Sequence, residues 1–386
     1  MESTDQTLQD QVRASRIRKV GVLAWRDLDD PEAGGSEVHA HEILRRWAAA
    51  GLEITMRTSF AAGHPQVAHR DGYRVIRKAG RYMVFPRAAV SEWAGWHGRH
   101  DVVLEIWNGM PFFSPVWSRV PVVTWLHHVH ADMWDMTLPP RLAKLGRTIE
   151  SRIAPARYRK TPIVTLSESS RDELIHDLAF SPEQVTVVPP GIHPSFSPGG
   201  QRSKTPLIVA VGRLVPVKRF DRLIRILAPL REHHPSFRLR IVGEGYEREA
   251  LEALCEELGA SDWVELPGRI SDEALIDAYR SAWLVVASSA REGWGMSLTE
   301  AAACGTPCVA TDIAGHRDAA AGGKAGVLVS SDEEFRAAVE YLINDDAARA
   351  ALGAGALEHA AQLTWENAAR DTFATLAATA ELHRKP

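Results

Sequence analysis

Cysteine is scarce in this 386-residue chain, which has three: Cys255, Cys304 and Cys308. An odd and small number of thiols does not form a disulfide framework, which favours a reducing compartment. Half of a metal site at Cys304 and Cys308 is the alternative, but no second Cys/His pair stands at ligand spacing. We therefore expect three small, buried side chains.

Long apolar runs and a basic excess are also missing. No stretch approaches the roughly 18 uninterrupted apolar residues that span a membrane, and the first fifteen residues lack the apolar centre of a signal peptide. The formal net charge is −4, which argues against a nucleic-acid binder. We expect a cytoplasmic protein whose membrane contact is at most peripheral, at the inner face of the membrane. These features predict no oligomeric state.

A regular alternation of strand and helix patterns fills the chain after a polar lead over 1–15, which we expect to be a mobile tail. The alternation is interrupted over 189–206, where five prolines and three glycines are typical of a linker. Strand patterns that are apolar throughout indicate parallel sheets covered by helices on both faces. The sequence predicts an α/β protein with two doubly wound, Rossmann-like domains, over 16–193 and 194–364, facing each other across a cleft.

The most informative motif runs from Glu292 to Glu300, between an apolar strand and an Ala-rich helix. Ligands of doubly wound sheets bind at such a strand end, and amides at a helix N-terminus suit an anionic phosphate. The two carboxylates would accept hydrogen bonds from hydroxyls of a sugar and a ribose. A solvated surface is the alternative reading, but the strand–glycine–helix context favours a donor site. Its predicted members between the two glutamates are Gly293, Trp294, Gly295, Met296, Ser297 and Leu298.

A second candidate site lies in the stretch 211–221. Arg213 stands just past a buried strand, and Lys218 follows five residues later at the start of a helix. An arginine fork and a lysine point charge at a strand end neutralise a diphosphate, whose negative charge grows as it departs. A solvated charge pair is the alternative.

In the first half, Gly34 and Gly35 stand between a strand and a helix and offer backbone amides towards the same cleft. They do not form the GxGxxG fingerprint of a dinucleotide fold, so this signal is weak. Asp27 and Asp29 imitate a metal-binding DxD motif in an acidic loop, and we interpret that likeness as accidental.

Three histidines, His127, His128 and His130, follow another strand. A metal site is disfavoured because His127 and His128 are adjacent and point apart in a strand. A cleft histidine that contacts sugar or acceptor is favoured over a structural role. We assign His127 to catalysis and place His128 and His130 on the acceptor side, together with Trp107 and Asn108 at the preceding strand end.

The segment 141–160 carries seven Lys/Arg residues against the single Glu150. A solvated helix face is one reading. Contact with anionic lipid head groups or with an anionic acceptor is the other.

Taken in order, these motifs resemble the retaining glycosyltransferases of family four, which have the GT-B fold. The resemblance is carried by the AGGSE loop, the strand-end histidine, the VGRL…K stretch, IVGEG, LPGRI and the two glutamates eight positions apart. It departs at the linker, where Pro190-Gly191-Ile192-His193 replaces the Asn-Gly-Val-Asp turn of many relatives. It also leaves the register of the catalytic histidine open between His127 and His128.

The resemblance implies roles for particular residues. Arg213 and Lys218 would hold the donor diphosphate, and Glu300 would bind the ribose. Glu292 would bind the donor sugar, and His127 would stand beside the anomeric carbon. Three further positions complete the implied donor site, with Gly35 near the β-phosphate and the backbone of Arg269 and Ile270 facing the base. The helix over 365–386 would cross back to the first domain.

The sequence thus predicts an enzyme, a hexosyltransferase that moves a sugar from a nucleoside-diphosphate sugar to an acceptor hydroxyl with retention, as in glycan or glycoconjugate biosynthesis. It would need no metal ion and no other cofactor. UDP and GDP are the favoured nucleotides, while the sugar and the acceptor stay open. A nucleotide-sugar epimerase of GT-B fold and a non-catalytic nucleotide-sugar or glycan-binding module are the alternatives. The missing fingerprint disfavours a nicotinamide oxidoreductase.

Overall fold

A computed structural model describes residues 7–384, and its contacts divide the chain into two compact units. The first unit comprises the chain up to Gly191 together with the chain from Trp365 onwards, and the second comprises Ile192–Thr364. The chain therefore passes from the first unit to the second between Gly191 and Ile192, two residues before the predicted boundary between 193 and 194. Most of the predicted linker packs on the second unit, because its carbonyls accept hydrogen bonds there: Ser197 O from Arg280 Nε at 2.8 Å and Ser203 O from Trp283 Nε1 at 2.7 Å.

The first unit is built on a sheet of eight strands within the described residues, in the order β3-β4-β2-β1-β5-β6-β7-β8. All of its pairings are parallel except that of β3 with β4. Strand β3 was not predicted, although the Asp71-Gly72 turn that joins it to β4 is a hairpin signal, with φ of 43° and 88°. The strands are β1 Lys19–Leu23, β2 Glu53–Thr58, β3 Val67–Arg70, β4 Tyr73–Arg77, β5 Val102–Trp107, β6 Val122–Leu126, β7 Ile163–Thr165 and β8 Val185–Val187.

Helices cover both faces of this sheet. They are α1 Leu8–Ala14, α2 Gly35–Ala49, α3 Val84–Ala94, α4 Ser114–Trp117, α5 Met133–Thr137, α6 Pro140–Thr148, α7 Ala154–Tyr158 and α8 Glu168–His176, with a π-helical turn Ile149–Ile153 that joins α6 to α7. The chain's last helix, Trp365–Arg384, is the one expected to cross back, and it packs against α1, α2, β5 and β6.

The predicted mobile tail is wrong for Leu8–Ala14, which form α1, whereas residues 1–6 lie outside the described residues. The Thr7 side chain caps this helix by accepting a hydrogen bond from Asp10 N at 3.3 Å. Val12 is buried, and α1 packs against the last helix. Two large apolar residues, Leu8 and Val12, in a short polar stretch gave too little periodic signal to predict this helix.

The second unit is a parallel sheet of six strands within the described residues, in the order β11-β10-β9-β12-β13-β14. Its strands are β9 Leu207–Val211, β10 Arg238–Val242, β11 Val264–Gly268, β12 Leu284–Ala287, β13 Cys308–Thr311 and β14 Gly326–Val329. Its helices are α9 Phe220–Leu227, α10 Leu230–His233, α11 Arg248–Glu257, α12 Asp272–Ser281, α13 Met296–Ala303, α14 His316–Ala319, α15 Asp332–Asn344 and α16 Asp346–Ala360, so that the crossing helix Trp365–Arg384 is α17. The predicted fold class, with two doubly wound units, is confirmed.

The strand orders fix where a ligand site can form in each unit. The chain leaves β1 towards β2 on one side and later returns to β5 on the other, and β9 stands in the same relation to β10 and β12. Each pair of strands, β1 with β5 and β9 with β12, therefore marks a topological switch point, where doubly wound sheets bind ligands. The three thiols are free and buried, as predicted. No helix of the described chain is long and apolar enough to cross a bilayer.

A buried carboxylate, Glu105 on β5, anchors the helices that follow it. It accepts hydrogen bonds from Phe112 N at 2.7 Å, from Ser114 N at 3.1 Å and from Tyr158 Oη at 2.6 Å. Burial raises the pKa of Glu105, and these hydrogen bonds oppose the rise. The Glu105 side chain thus links two parts of the unit to the central sheet: the segment just before α4, and α7.

We predict that Glu105→Ala lowers the free energy of unfolding by about 3 kcal/mol or more, because it leaves several buried donors without an acceptor. The matched control is Glu53→Ala, which removes an exposed carboxylate of the same sheet that pairs with Lys19 at 2.9 Å. Urea-unfolding midpoints measure both variants. Equal midpoints for the two would contradict the anchoring role.

Candidate functional site

Two predicted residues that are far apart in sequence meet at the switch point of the second unit. Lys218 ends a short 3-10 turn after β9, and Glu292 follows β12. Lys218 Nζ forms an ion pair with Glu292 Oε1, which also accepts a hydrogen bond from Ser289 Oγ at 2.9 Å. Ser288 Oγ donates to the carbonyl of Lys218 at 3.0 Å and fixes the turn. The two strand ends are therefore joined by a charged pair.

The charge state of Glu292 follows from this contact. Burial disfavours ionisation of the carboxyl, but the Lys218 ammonium and the hydrogen bonds outweigh it and lower the pKa of Glu292 to about 2. The carboxylate is therefore ionised at neutral pH and accepts hydrogen bonds only.

Close backbone packing shapes the strand ends around Lys218. A Cβ on Gly243 would lie 1.9 Å from Gly212 O, and one on Gly245 would lie 2.2 Å from Leu214 O. Any side chain at Gly243 or Gly245 would push β10 away from the loop that carries Arg213 and Lys218. The IVGEG motif thus keeps this loop in place.

The N-terminus of α13 completes this edge of the unit. Gly295 caps it with φ of 114°, a left-handed conformation that favours glycine. Helix geometry leaves the amides of Met296 and Ser297 without an intrahelical acceptor. The predicted phosphate contact of the Leu298 amide is wrong, because this amide donates to Gly295 O at 2.9 Å in a tight first turn.

The loop before α13 offers backbone rather than side chains. The Trp294 ring is buried, and its Nε1 donates to Thr299 Oγ1 at 3.3 Å. Gly293 lies directly against Gly315, where a Cβ would come within 2.7 Å of the Gly293 carbonyl carbon. The Trp294 side chain is therefore not available to a ligand, and only the backbone of this loop is.

Glu300, in α13, has a different environment from that of Glu292. It accepts a hydrogen bond from Tyr279 Oη at 2.8 Å. Burial raises the pKa of Glu300 to about 7, while the Tyr279 hydrogen bond opposes the rise. Its carboxyl is thus balanced between the two protonation states at neutral pH. The remaining predicted donor residues, Arg269 and Ile270, follow β11, with Arg269 exposed and Ile270 half-buried.

In the first unit, His127 follows β6 and is buried. Its Nδ1 shares a hydrogen bond of 3.2 Å with Ser36 Oγ in the first turn of α2, and Nε2 has no hydrogen-bond partner among the described residues. Burial first, with His39 and His128 adding to it, lowers the pKa of His127 well below its usual value. The imidazole is therefore neutral.

Ser36 also lines a small, open pocket at the switch point of the first unit. Asn108, predicted on the acceptor side, is part of its wall, together with Glu37 and Trp25. Glu37 Oε2 accepts a hydrogen bond from Gly34 N at 2.7 Å, so the amide of Gly34 is engaged, whereas Gly35 begins α2 and is exposed. Ser36, Glu37 and Asn108 therefore border one pocket, next to the glycine loop in sequence.

The other two histidines form a separate group. The rings of His128 and His130 stack with centroids 4.8 Å apart, and His130 packs on Trp134 at 5.2 Å. His127 faces Ser36 instead, so the two neighbouring histidines point apart as expected from strand geometry.

Trp107 does not lie on an acceptor surface, and its predicted place there is wrong. Its ring is fully buried against Tyr158, with centroids 4.9 Å apart, and its Nε1 donates to Gly109 O at 2.8 Å. The strand is buried on both faces along its whole length, so its last side chain belongs to the core, although ligands of such sheets bind just beyond the strand ends.

Several partners of the predicted residues were not themselves predicted. Ser36 binds His127, Tyr279 binds Glu300, and His39 packs edge-on against His127 with centroids 5.0 Å apart. Ser36 and His39 stand three positions apart in α2, on one side of the helix, which is the one local signal that could have paired them. The contact of Tyr279 with Glu300 joins two helices and leaves no trace in local sequence.

The two aspartates that imitate a DxD motif, Asp27 and Asp29, form ion pairs with arginine side chains. Arg77 pairs with Asp27 at 2.6 Å and also binds Asp29. Arg70 pairs with Asp29 from β3 at 2.5 Å. Within residues 7–384 no group of three His, Cys, Asp or Glu side chains is placed to hold a metal ion.

Solved structures share this architecture. Sucrose-phosphate synthase from Thermosynechococcus elongatus superposes with a TM-score of 0.79 at 20% identity, covering 95% of this chain and 98% of that one. HepE from Anabaena, in complex with UDP-glucose, gives a TM-score of 0.71 at 17% identity and covers 93% and 99%. WaaG, a glycosyltransferase involved in lipopolysaccharide biosynthesis, gives 0.74 at 19%, covering 92% and 99%. The fold is that of the GT-B glycosyltransferases.

Sequence comparison identifies the family to which the chain belongs. The model described as Glycosyltransferase Family 4 matches residues 33–196, and that described as Glycosyl transferases group 1 matches 194–359. The D-inositol 3-phosphate glycosyltransferase of Nocardiopsis dassonvillei is 36% identical over 91% of both chains, and that of Thermobispora bispora is 29% identical over 96% of this chain and 97% of its own. This chain belongs to glycosyltransferase family 4 and is a glycosyltransferase, which speaks against the epimerase and non-catalytic alternatives.

We predict that Lys218→Met lowers the free energy of unfolding at pH 7 by about 1–2 kcal/mol, because it leaves the Glu292 carboxylate largely buried without its cation. The lowered pKa of Glu292 means that its stabilising contribution is present above its unfolded value of 4.5 and is lost as the pH falls towards about 2. Denaturation with urea at pH 7 and at acidic pH measures this loss.

The matched control is Arg240→Met, which removes the cation of a more exposed pair with Glu265, at 2.7 Å in the same unit, and should change stability little. Adding Glu292→Gln to Lys218→Met should recover most of the loss at pH 7. Strictly additive effects of the two changes would show that the ion pair does not couple them.

Proposed function

We propose that this enzyme transfers a hexose from a nucleoside-diphosphate sugar to an acceptor hydroxyl, with retention at the anomeric carbon and without a metal ion. The observation that carries the proposal is the joining of Lys218 and Glu292 at the switch point of the second unit, beside the N-terminus of α13. A cation, a carboxylate and helix amides at one strand edge suit a ligand that bears a diphosphate and sugar hydroxyls.

The chemistry follows from the charges at this edge. The bond between the anomeric carbon and the β-phosphate oxygen breaks, and negative charge grows on the departing diphosphate. Lys218, Arg213 and the amides of Met296 and Ser297 compensate that charge, which is the role a metal ion plays in other transferases. The new bond forms from the acceptor oxygen on the same face of the sugar, and the acceptor proton passes to the departing phosphate oxygen.

The remaining residues bind and orient the donor. Ionised Glu292 accepts hydrogen bonds from the donor sugar, and Glu300 accepts them from the ribose, a role that favours its deprotonated form. Arg269 and Ile270 border the base. The neutral imidazole of His127 offers Nε2 to a donor-sugar hydroxyl or to the acceptor.

Relatives guide the choice of substrates. HepE was solved with UDP-glucose, which makes UDP the first nucleotide to test and GDP the second. Curated relatives at 29% and 36% identity are named for D-inositol 3-phosphate, so a hydroxyl of a phosphorylated polyol is the first acceptor to test. A peripheral membrane contact through 141–160 also stays a proposal.

We predict that purified enzyme releases nucleoside diphosphate from a nucleotide sugar in the presence of acceptor and EDTA. Arg213→Ala should lower turnover by about 10²-fold or more, because growing charge on the leaving group is left uncompensated. The matched control is Arg225→Ala on α9, an exposed arginine of the same unit. Loss of activity in EDTA that manganese restores would overturn the metal-free assignment, and a wild-type rate in Arg213→Ala would overturn the diphosphate assignment.

We predict that His127→Ala lowers kcat strongly while calorimetry shows nearly unchanged affinity for the nucleoside diphosphate, because that affinity resides in residues of the second unit. His128→Ala is the matched neighbour and should do less, since its ring stacks on His130 away from Ser36. A larger effect of His128→Ala would move the catalytic role to His128. Wild-type kcat in both variants would make the histidines structural.

A further inference from the structure

One side of the first unit exposes large apolar side chains beside basic ones, which is unusual for a protein of net charge −4. This side, here called the outer helical face, is formed by α3, α4 and the continuous run α6, π-helical turn and α7. These elements are neighbours, because α4 packs against both α3 and α7. The face lies outside the residues assigned to the donor site and does not depend on the proposed reaction.

Aromatic and aliphatic side chains stand out from these helices. Around α3, Tyr82 is 78% exposed, Trp93 59% and Trp96 57%. Other exposed apolar residues of the same face are Met83 and Val90 around α3, Val116 on α4, Leu142 and Leu145 on α6, and Ile153 in the π-helical turn. Single exposed apolar residues are ordinary, but a run of them across adjoining helices marks an interaction surface.

The carboxylates of these elements are turned inwards. The stretch 81–100 contains one acid, Glu92, which is buried in contact with Arg57 and with His100 at 2.8 Å. The segment 141–160 also contains one, Glu150, which accepts hydrogen bonds from the amides of His130 and Ala131 at 2.7 and 3.0 Å. At the neighbouring α5, by contrast, two acids are exposed: Asp135, which pairs with Arg147, and Asp132, which directly precedes the helix.

The cations of the same elements are on the outside. Those exposed are Arg87, Arg99, Arg119, Arg141, Lys144, Arg152, Arg157, Arg159 and Lys160. Two of them lie over the exposed tryptophans: the guanidinium of Arg119 is 4.6 Å from the Trp93 ring centre, and that of Arg87 is 6.0 Å from the Trp96 ring centre. The face is therefore cationic, apolar and aromatic at once.

The packing of α6 explains why both its basic and its apolar side chains are exposed to solvent. Its inner side carries Ala143 and Gly146, and a Cβ on Gly146 would lie 2.6 Å from the ring of Trp134. These small residues let α6 pack closely, which leaves Leu142 and Leu145 outside, next to Arg141 and Lys144. A helix with leucines between basic residues suits the interface of an anionic bilayer.

We propose that the outer helical face docks this enzyme on the surface of an anionic lipid bilayer. The basic side chains meet the lipid phosphates, and Trp93, Trp96 and the leucines of α6 enter the head-group region, where amphipathic rings are favoured. This proposal extends the contact predicted for 141–160 to α3 and α4, which bear the aromatic side chains. A nucleic acid would use the cations but would leave the aliphatic residues exposed, so the bilayer is the better match.

Flotation of the full-length protein with vesicles tests the proposal. The expected result is binding to phosphatidylcholine vesicles that contain about one-third phosphatidylglycerol, no binding to pure phosphatidylcholine, and weakening by salt. Arg141→Glu with Lys144→Glu should lower the partition coefficient by about tenfold or more. The matched control is Lys204→Glu with Lys324→Glu, which makes the same charge change on exposed lysines of the second unit and should leave partitioning nearly unchanged.

Trp93→Ser with Trp96→Ser tests the apolar contribution and should lower partitioning several-fold while the salt dependence remains. Circular dichroism and turnover of a water-dissolved acceptor check that each variant is folded. No binding to anionic vesicles, equal binding to neutral ones, or an equal loss in the Lys204/Lys324 control would overturn the proposal. Binding of a single-stranded oligonucleotide that competes fully with vesicles and ignores the tryptophan changes would assign the face to a polyanion instead.

Discussion

Parallel strand pairing is the constraint on which the site of each unit depends. It places the carboxyl ends of all parallel strands along one edge of the sheet, so that residues distant in sequence become neighbours. Lys218 and Glu292 are 74 positions apart, yet they form an ion pair because β9 and β12 are adjacent strands. In the first unit the ends of β1 and β5 border the pocket with Ser36 and Asn108 in the same way. Each unit thus gathers its polar residues at its own switch point.

Backbone packing makes these edges specific. At the end of β10, Gly243 and Gly245 let the strand approach the carbonyls of Gly212 and Leu214. Between β13 and α14, Gly315, with φ of 85°, lets its loop lie on the backbone of Gly293 and Trp294. Glycine is needed there because no Cβ fits, whatever the ligand. Part of the family motif is therefore a packing requirement that keeps the ligand-facing backbone in place.

Sequence predicts this fold well because its main signal is local. Strands that are buried on both faces read as apolar runs, and the doubly wound arrangement follows from their alternation with helices. The positions of Lys218, Glu292 and Glu300 relative to strands and helices were predicted for the same reason. The errors lie where the local pattern is weak or where packing against another element determines the structure. Helix α1 depends on packing against α17, and Trp107 belongs to a core that its position at a strand end did not reveal. The Leu298 amide is used by a tight first helical turn.

The two glutamates of the main motif show the limit of sequence reasoning most clearly. They are eight positions apart, and burial acts on both carboxyl groups, yet the pKa of Glu292 is about 2 and that of Glu300 about 7. The difference comes from their partners, an ammonium at Glu292 and a phenol hydroxyl at Glu300. A cation stabilises the carboxylate far more than a neutral donor does, so burial prevails at Glu300 and not at Glu292. Because Lys218 comes from the β9 loop and Tyr279 from α12, the charge of each glutamate is a property of the folded unit and not of the motif.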